Sequence, residues 1–105
     1  MQLILLYVTL KNKQEALVMA ERLIAEKLAA CANILPTHTA VYKWNGTPQQ
    51  EEEVILLAKT TPARREQAIA RIAALHNYDC PCILALPVEA AYTPFGEWVF
   101  SQIGD

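Results

Sequence analysis

Thr37-His38-Thr39-Ala40-Val41-Tyr42-Lys43-Trp44-Asn45-Gly46-Thr47-Pro48-Gln49-Gln50-Glu51-Glu52-Glu53-Val54-Ile55-Leu56-Leu57-Ala58-Lys59-Thr60-Thr61 is the stretch on which the fold turns. Asn45-Gly46 sits at its middle, and both residues tolerate positive φ, so the pair predicts a hairpin turn. Thr37–Trp44 forms one arm and Glu52–Thr61 the other, with Thr47-Pro48-Gln49-Gln50 lengthening the loop. Arms longer than the usual five or six residues predict a ribbon that projects beyond a small domain. Strand alternation puts His38, Ala40, Tyr42 and Trp44 on one face of the first arm. Thr37, Thr39, Val41 and Lys43 take the other. An aromatic face on a projecting ribbon needs something to cover it.

Outward from the hairpin, the N-terminal side carries one more strand and one helix, and the C-terminal side one strand and two helices. Leu3–Leu10 is an apolar run of strand length, buried on both faces. Its N-terminal residues lack a basic region and a small-residue cleavage site, so they read as a first strand and not a secretion signal. Asn12 offers an N-cap, with Glu15 three residues on completing a capping box. Leu17, Ala20, Ile24 and Leu28 then mark the buried stripe of a helix, and Glu21, Arg22, Glu26 and Lys27 its wet side. Ala32–Leu35 is extended, and Pro36 interrupts it at a bulge or edge. On the far side, Thr61-Pro62 opens a second helix with Thr61 as cap. Ile69, Ile72 and Leu75 are its buried side. His76–Pro81 is a loop and Cys82–Val88 a fourth strand. Thr93-Pro94 repeats the cap-plus-proline signature before a last helix through Trp98 and Ile103. The order is β-α-β-β-α-β plus a C-terminal helix, an α+β, ferredoxin-like arrangement in a single domain, 1–105.

Composition bounds the function. The chain has 105 residues, 53% hydrophobic and 19% charged, with a formal net charge of −2. It is too apolar for a disordered chain. No stretch approaches the ~20 apolar residues of a membrane span. Its scattered basic residues do not suit nucleic acid. So short a chain hides only about 60–70% of its unfolded surface, so another chain is expected to cover part of the apolar excess. The three cysteines are an odd number, and Cys80 and Cys82 are too close for an ordinary bridge. A reducing, cytoplasmic setting follows.

Few residues carry chemistry. Cys31, His38 and His76 could meet as nucleophile and base, but no local motif says so, and Cys31 also reads as a small buried residue. Cys80-Pro81-Cys82 presents two thiols that can share a soft ion, with Cys31 or His76 as a further ligand. The spacing is not a zinc signature. If Cys82 begins a strand, the two side chains diverge. In Glu51-Glu52-Glu53 only the first and last share a face, which suits a solvated edge better than a hard-cation site. Glu53, Ile55, Leu57 and Lys59 share one strand face. Arg64 and Arg65, with Lys59, could receive an anion at a helix start, although a helix N-terminus disfavours cations.

Four segments in register carry a resemblance across nearly the whole chain. They are Leu28-Ala29-Ala30-Cys31-Ala32-Asn33, Tyr42-Lys43-Trp44-Asn45-Gly46, Glu53 with Leu56-Leu57-Ala58-Lys59-Thr60-Thr61, and His76-Asn77-Tyr78-Asp79-Cys80-Pro81. Together they resemble the CutA family of divalent-cation tolerance proteins. The resemblance implies a homotrimer, similar in architecture to the PII signalling proteins, and metal tolerance, copper in particular, with no firm biochemical activity. The family's recurrent positions fall on Cys31, Tyr42, Trp44, Gly46, Glu53, Lys59, Thr60, His76, Tyr78, Pro81 and Trp98. Asn77, Cys82 and Ala91 depart from the family pattern, and a thiol at Cys82 in place of a carboxylate favours a soft ion. The expected assignment is a non-enzymatic, cytoplasmic trimer with no obligatory cofactor, no nucleic-acid partner and no membrane association. Cys31, Cys80, Cys82 and His76 would be its metal ligands, for copper or another divalent metal. Tyr42, Trp44, Glu53, Lys59 and Tyr78 would line an intersubunit cleft. The alternative is a PII-like trimer taking an anionic small molecule or nucleotide through Lys59, Arg64 and Arg65. The chain's three glycines supply no glycine-rich phosphate loop for it.

Overall fold

The computed structural model describes residues 2–104; Met1 and Asp105, the ends of the expected domain, lie outside them. The elements are β1 (Leu3–Leu10), α1 (Lys13–Ala25), β2 (Cys31–Trp44), β3 (Thr47–Thr60), α2 (Arg65–Leu75), β4 (Ile83–Val88) and α3 (Thr93–Ile103). The strands form one antiparallel sheet in the order β2-β3-β1-β4. This is the expected ferredoxin-like α+β arrangement. β1 is central because it is apolar throughout. Its even residues Ile4, Leu6, Val8 and Leu10 meet Ala16, Met19, Leu23, Ala68 and Ile72 of α1 and α2 in the main core. Its odd residues point to the opposite, largely open face. There α3 covers one end, where Val99 and Ile103 cluster with Leu3 and Ala30.

Asn12 caps α1 as expected, its side chain accepting from the Glu15 backbone N–H at 2.9 Å. The helix ends three residues before Leu28. Lys27 takes a left-handed conformation (φ 58°). The Leu28 N–H then reaches the Leu23 carbonyl at 2.8 Å and the Lys27 N–H the Ile24 carbonyl at 3.1 Å. This is a Schellman stop, closed by contact-forming Leu residues at both ends of its longer bond. The buried stripe is Ala16, Met19, Ala20 and Leu23, whereas Leu17 and Ile24 are 40% and 44% exposed. Of the expected stripe Ala20 and Leu28 are buried, while Ala16, Met19 and Leu23 take the places given to Leu17 and Ile24. Small Ala16 lets the helix sit close on the sheet, and the bulkier row is left outside.

Other local expectations also shift. Thr47–Gln50 is strand, not loop. Asn45 (φ 50°) and Gly46 (φ 79°) close a two-residue turn, and Trp44 pairs directly with Thr47. Thr61 precedes a single 3-10 turn (Pro62–Arg64), but its side chain makes no capping bond. Tyr92, not Thr93, occupies the cap position of α3, and its carbonyl accepts from Phe95 and Gly96. β4 begins at Ile83, leaving Cys82 in the preceding loop.

The bulge expected at Pro36 is present. Leu35 pairs with Ile55, but the next pair is His38 with Glu53, so β2 holds one extra residue. Before it, Cys31, Asn33 and Leu35 lie on the open face. Beyond it, His38, Ala40, Tyr42 and Trp44 take that face, opposite Glu53, Glu51, Gln49 and Thr47. Pairing of β3 with β1 stops at Val54, while β2 and β3 continue together to Trp44 and Thr47. The free ribbon is roughly 23 Å long at about 3.3 Å per residue. The molecule measures 45 × 25 × 22 Å with a radius of gyration of 14.3 Å, against about 13 Å for a compact domain of this length. Its accessible surface is 6496 Å², against about 5,900 Å² for a monomer of its mass.

Candidate functional site

Where the ribbon leaves the sheet, the open face forms a cleft of about 800 Å³. Tyr7 and Thr9 of β1 form its floor. His38, Tyr42, Trp44, Glu51 and Glu53 line the ribbon side, and the Asn77–Cys82 loop lines the other. The bulge makes this possible, because without it the aromatic residues of β2 would lie on the far face.

A relay of hydrogen bonds holds the loop in place. His76 Nε2 lies 2.8 Å from the Thr9 carbonyl, and the Tyr78 backbone N–H donates to His76 Nδ1 at 3.1 Å. These partners assign the proton to Nε2. The His76 and Tyr78 rings pack with centroids 4.6 Å apart. Tyr78 then donates its hydroxyl to Glu53 Oε2 at 2.7 Å, a short, charge-assisted bond. Glu53 is only 6% exposed. Burial pushes the Tyr78 phenol above its usual value, and the hydrogen bond and charge of Glu53 raise it further. Tyr42 shifts the same way, by burial first and then the Glu51 charge. His38 faces Glu53 across the strand pair, and its buried Nδ1 has no partner.

Six of the nine expected site residues meet here: Tyr42, Trp44, Glu53, Tyr78, Cys80 and Cys82. Three do not line the cleft. Cys31 pairs with Lys59 on edge strand β2. The loop bearing Cys80 and Cys82 leads into the opposite edge, about three strand spacings, or ~14 Å, away. His76 spends both ring nitrogens within its own chain, so neither is left for a metal. Lys59 donates instead to the Asn33 side-chain carbonyl, away from the cleft. Arg64 reaches Gln67 and Arg65 pairs with Glu66, so the basic trio does not gather around one anion. Among the described residues, no group of three or more His, Cys, Asp or Glu is arranged to hold a metal ion. All three cysteines are free, and Cys80 and Cys82 are exposed.

Nine further residues line the cleft, and four of them carry an ionisable group: Tyr7, His38, Glu51 and Asp79. Alternation had already put His38 beside Tyr42 and Trp44, and Glu51 beside Glu53. What was missing was the register that joins the two pairs. Asp79 carried no signal before the loop's position was known.

The model of the CutA1 divalent ion tolerance protein family matches residues 4–102. The divalent-cation tolerance protein CutA of Thermus thermophilus is 35% identical over 97 residues, covering 92% of this chain and 94% of the relative. The chloroplastic protein CutA of Arabidopsis thaliana is 36% identical over 96 residues, covering 91% of this chain and 53% of the relative. The chain spans about half the length of that relative and of its rice counterpart. The crystal structure of CutA1 from Oryza sativa superposes with a TM-score of 0.94 at 35% identity, covering 99% of this chain and 95% of that one.

Proposed function

Since the chain belongs to the CutA1 family of divalent ion tolerance proteins, we propose that it is a binding protein and not an enzyme: a homotrimer that holds a soft metal ion, copper foremost, at Cys80 and Cys82 on the lip of the cleft. The observation that carries this reading is that two exposed free thiols, two residues apart in the chain, both line one concave surface. Thiolates select Cu(I), which is content with few ligands, over harder ions that want several oxygens. A site of two thiols also agrees with the lack of a three-ligand cluster among the described residues.

The assembly rests on the open sheet face. Leu84 and Leu86 of β4 are 53% and 42% exposed. They pair with Tyr7 and Leu5 on a face where Ile55 and Leu57 are also only half-buried. An apolar surface of this extent calls for a partner, and copies of the same chain supply one by symmetry. The reduced thiols fit a cytoplasmic setting, and no described helix is long and apolar enough to cross a membrane. The anion-binding alternative has no lysine or arginine along the cleft to support it.

The test is an anaerobic Cu(I) titration of the native chain against Cys80→Ser and Cys82→Ser. One ion per chain, lost in both variants, supports the site; unchanged stoichiometry and affinity sink it. Light scattering at micromolar concentration tests the trimer, and a stable monomer rejects it.

A further inference from the structure

We propose that the inner part of the cleft, between the ribbon and the Asn77–Cys82 loop, binds an organic ammonium cation. This inference deepens the cleft reading above and rests on the cleft staying open at the subunit seam, but it does not involve the two thiols.

Three observations converge on it. First, Glu51, Glu53 and Asp79 all line the cleft, and no lysine or arginine does. Their charge is felt inside it, since Glu51 and Glu53 both help to hold the bordering phenols protonated. Second, the Glu53 carboxylate is nine-tenths buried and has a neutral phenol as its hydrogen-bond donor. A buried carboxylate is costly without a countercharge, and Nδ1 of His38, the residue paired with Glu53 across the strands, is itself without a partner. A cation entering here would meet both an unmatched charge and an unmatched acceptor or donor. Third, the walls are aromatic: Tyr7, Tyr42, Trp44 and Tyr78 line the same space.

The aromatic rings decide what kind of cation fits. Calcium or magnesium would need several converging oxygens, and no such cluster of three exists among the described residues. A weakly hydrated organic ammonium gives up little water, and its alkyl groups lie well against ring faces, especially that of tryptophan. About 800 Å³ falls in the range of sites for small organic molecules.

Tetraethylammonium serves as the probe, titrated calorimetrically into the full chain. Its uncharged counterpart 3-ethylpentan-3-ol and potassium chloride are the controls. Saturable binding is expected for the ammonium alone. It should weaken at least tenfold in the Glu51→Gln/Glu53→Gln double variant and several-fold in Trp44→Leu. Circular dichroism confirms that each variant is folded. Absence of saturable binding, equal binding of the alcohol, or full affinity in a folded Glu51→Gln/Glu53→Gln protein overturns the proposal. Failure of the native chain to bind copper, with ammonium binding intact, removes only the metal reading. Copper binding without ammonium binding removes only this one.

Discussion

Replacing Tyr78 with Phe removes one oxygen and leaves the ring in place, so it isolates the bond to Glu53. That bond is 2.7 Å long, and its acceptor is a carboxylate only 6% exposed. Hydrogen bonds to charged groups contribute about 1.5–3 kcal/mol net. Tyr78 is itself only partly buried, so water can replace some of what is lost, and the lower end, ~1.5 kcal/mol, applies. For a chain of 105 residues, an unfolding entropy of about 2.1 cal/mol/K per residue converts this to a Tm lower by roughly 7 °C. The assay is thermal unfolding followed by circular dichroism at one protein concentration, because association also shifts Tm. Glu53→Gln and the double variant complete a cycle, with an expected coupling near 1 kcal/mol. Additive single effects, or a Tyr78→Phe protein as stable as the native one, would refute the reasoning. The pH dependence has a definite sign. The Tyr78 phenol is raised in the folded state, so its contribution is whole below pH ~10, the unfolded value. It is lost as pH rises through the higher folded value. The gap between native and Tyr78→Phe proteins should therefore close in the alkaline range.

Three other perturbations test the local reading. Lys27→Gly relieves a left-handed residue at the end of α1 and should raise stability by about 0.5–1 kcal/mol in urea melts; a loss would show that the lysine side chain matters there. Gly46→Ala meets no atom within 4 Å but keeps φ at 79°, so it should cost ~1 kcal/mol from backbone strain alone; an unchanged urea midpoint would contradict that. Glu26 is held below its usual carboxylate range, chiefly by the Arg71 hydrogen bond. Arg71→Ala should therefore be less stable than the native chain above pH 4.5, with the difference shrinking as pH falls through the lowered value and with added salt. A difference independent of both would mean that Arg71 acts through packing.

The element order, the Asn12 cap, the Asn45-Gly46 turn and the Pro36 bulge could be read in advance because each rests on local backbone chemistry. The phase of α1 could not. Leu17 and Ile24 repeat as regularly as Ala16 and Leu23, and periodicity alone does not say which row meets the sheet. Thr47–Gln50 looked like loop because proline and glutamine are poor strand formers. Pro48 is accommodated because it lies near the tip of a two-stranded ribbon, where half of the backbone groups need no partner. The site was legible residue by residue but not as a set. Cys31 and Cys80 have equal standing in a list of cysteines, and strand order sends them to opposite edges. His76 has the chemistry of a ligand, but its two backbone partners cannot be read from spacing. The joining of His38 to Glu53 depended on counting through the bulge.

That count has a genetic consequence. Face assignment along the outer half of β2 is a matter of parity, set by one supernumerary residue between Leu35 and His38. Losing a single codon at Pro36 or Thr37 would remove the bulge and leave one residue opposite Val54, so His38 would still meet Glu53 and the aromatic side chains would keep their side. Losing Thr39 or Ala40 leaves no spare residue to absorb the change, and would turn Tyr42 and Trp44 to the other face, away from the Asn77–Cys82 loop. Relatives of this chain should therefore tolerate a one-residue change of length at the bulge far more readily than between the bulge and the turn.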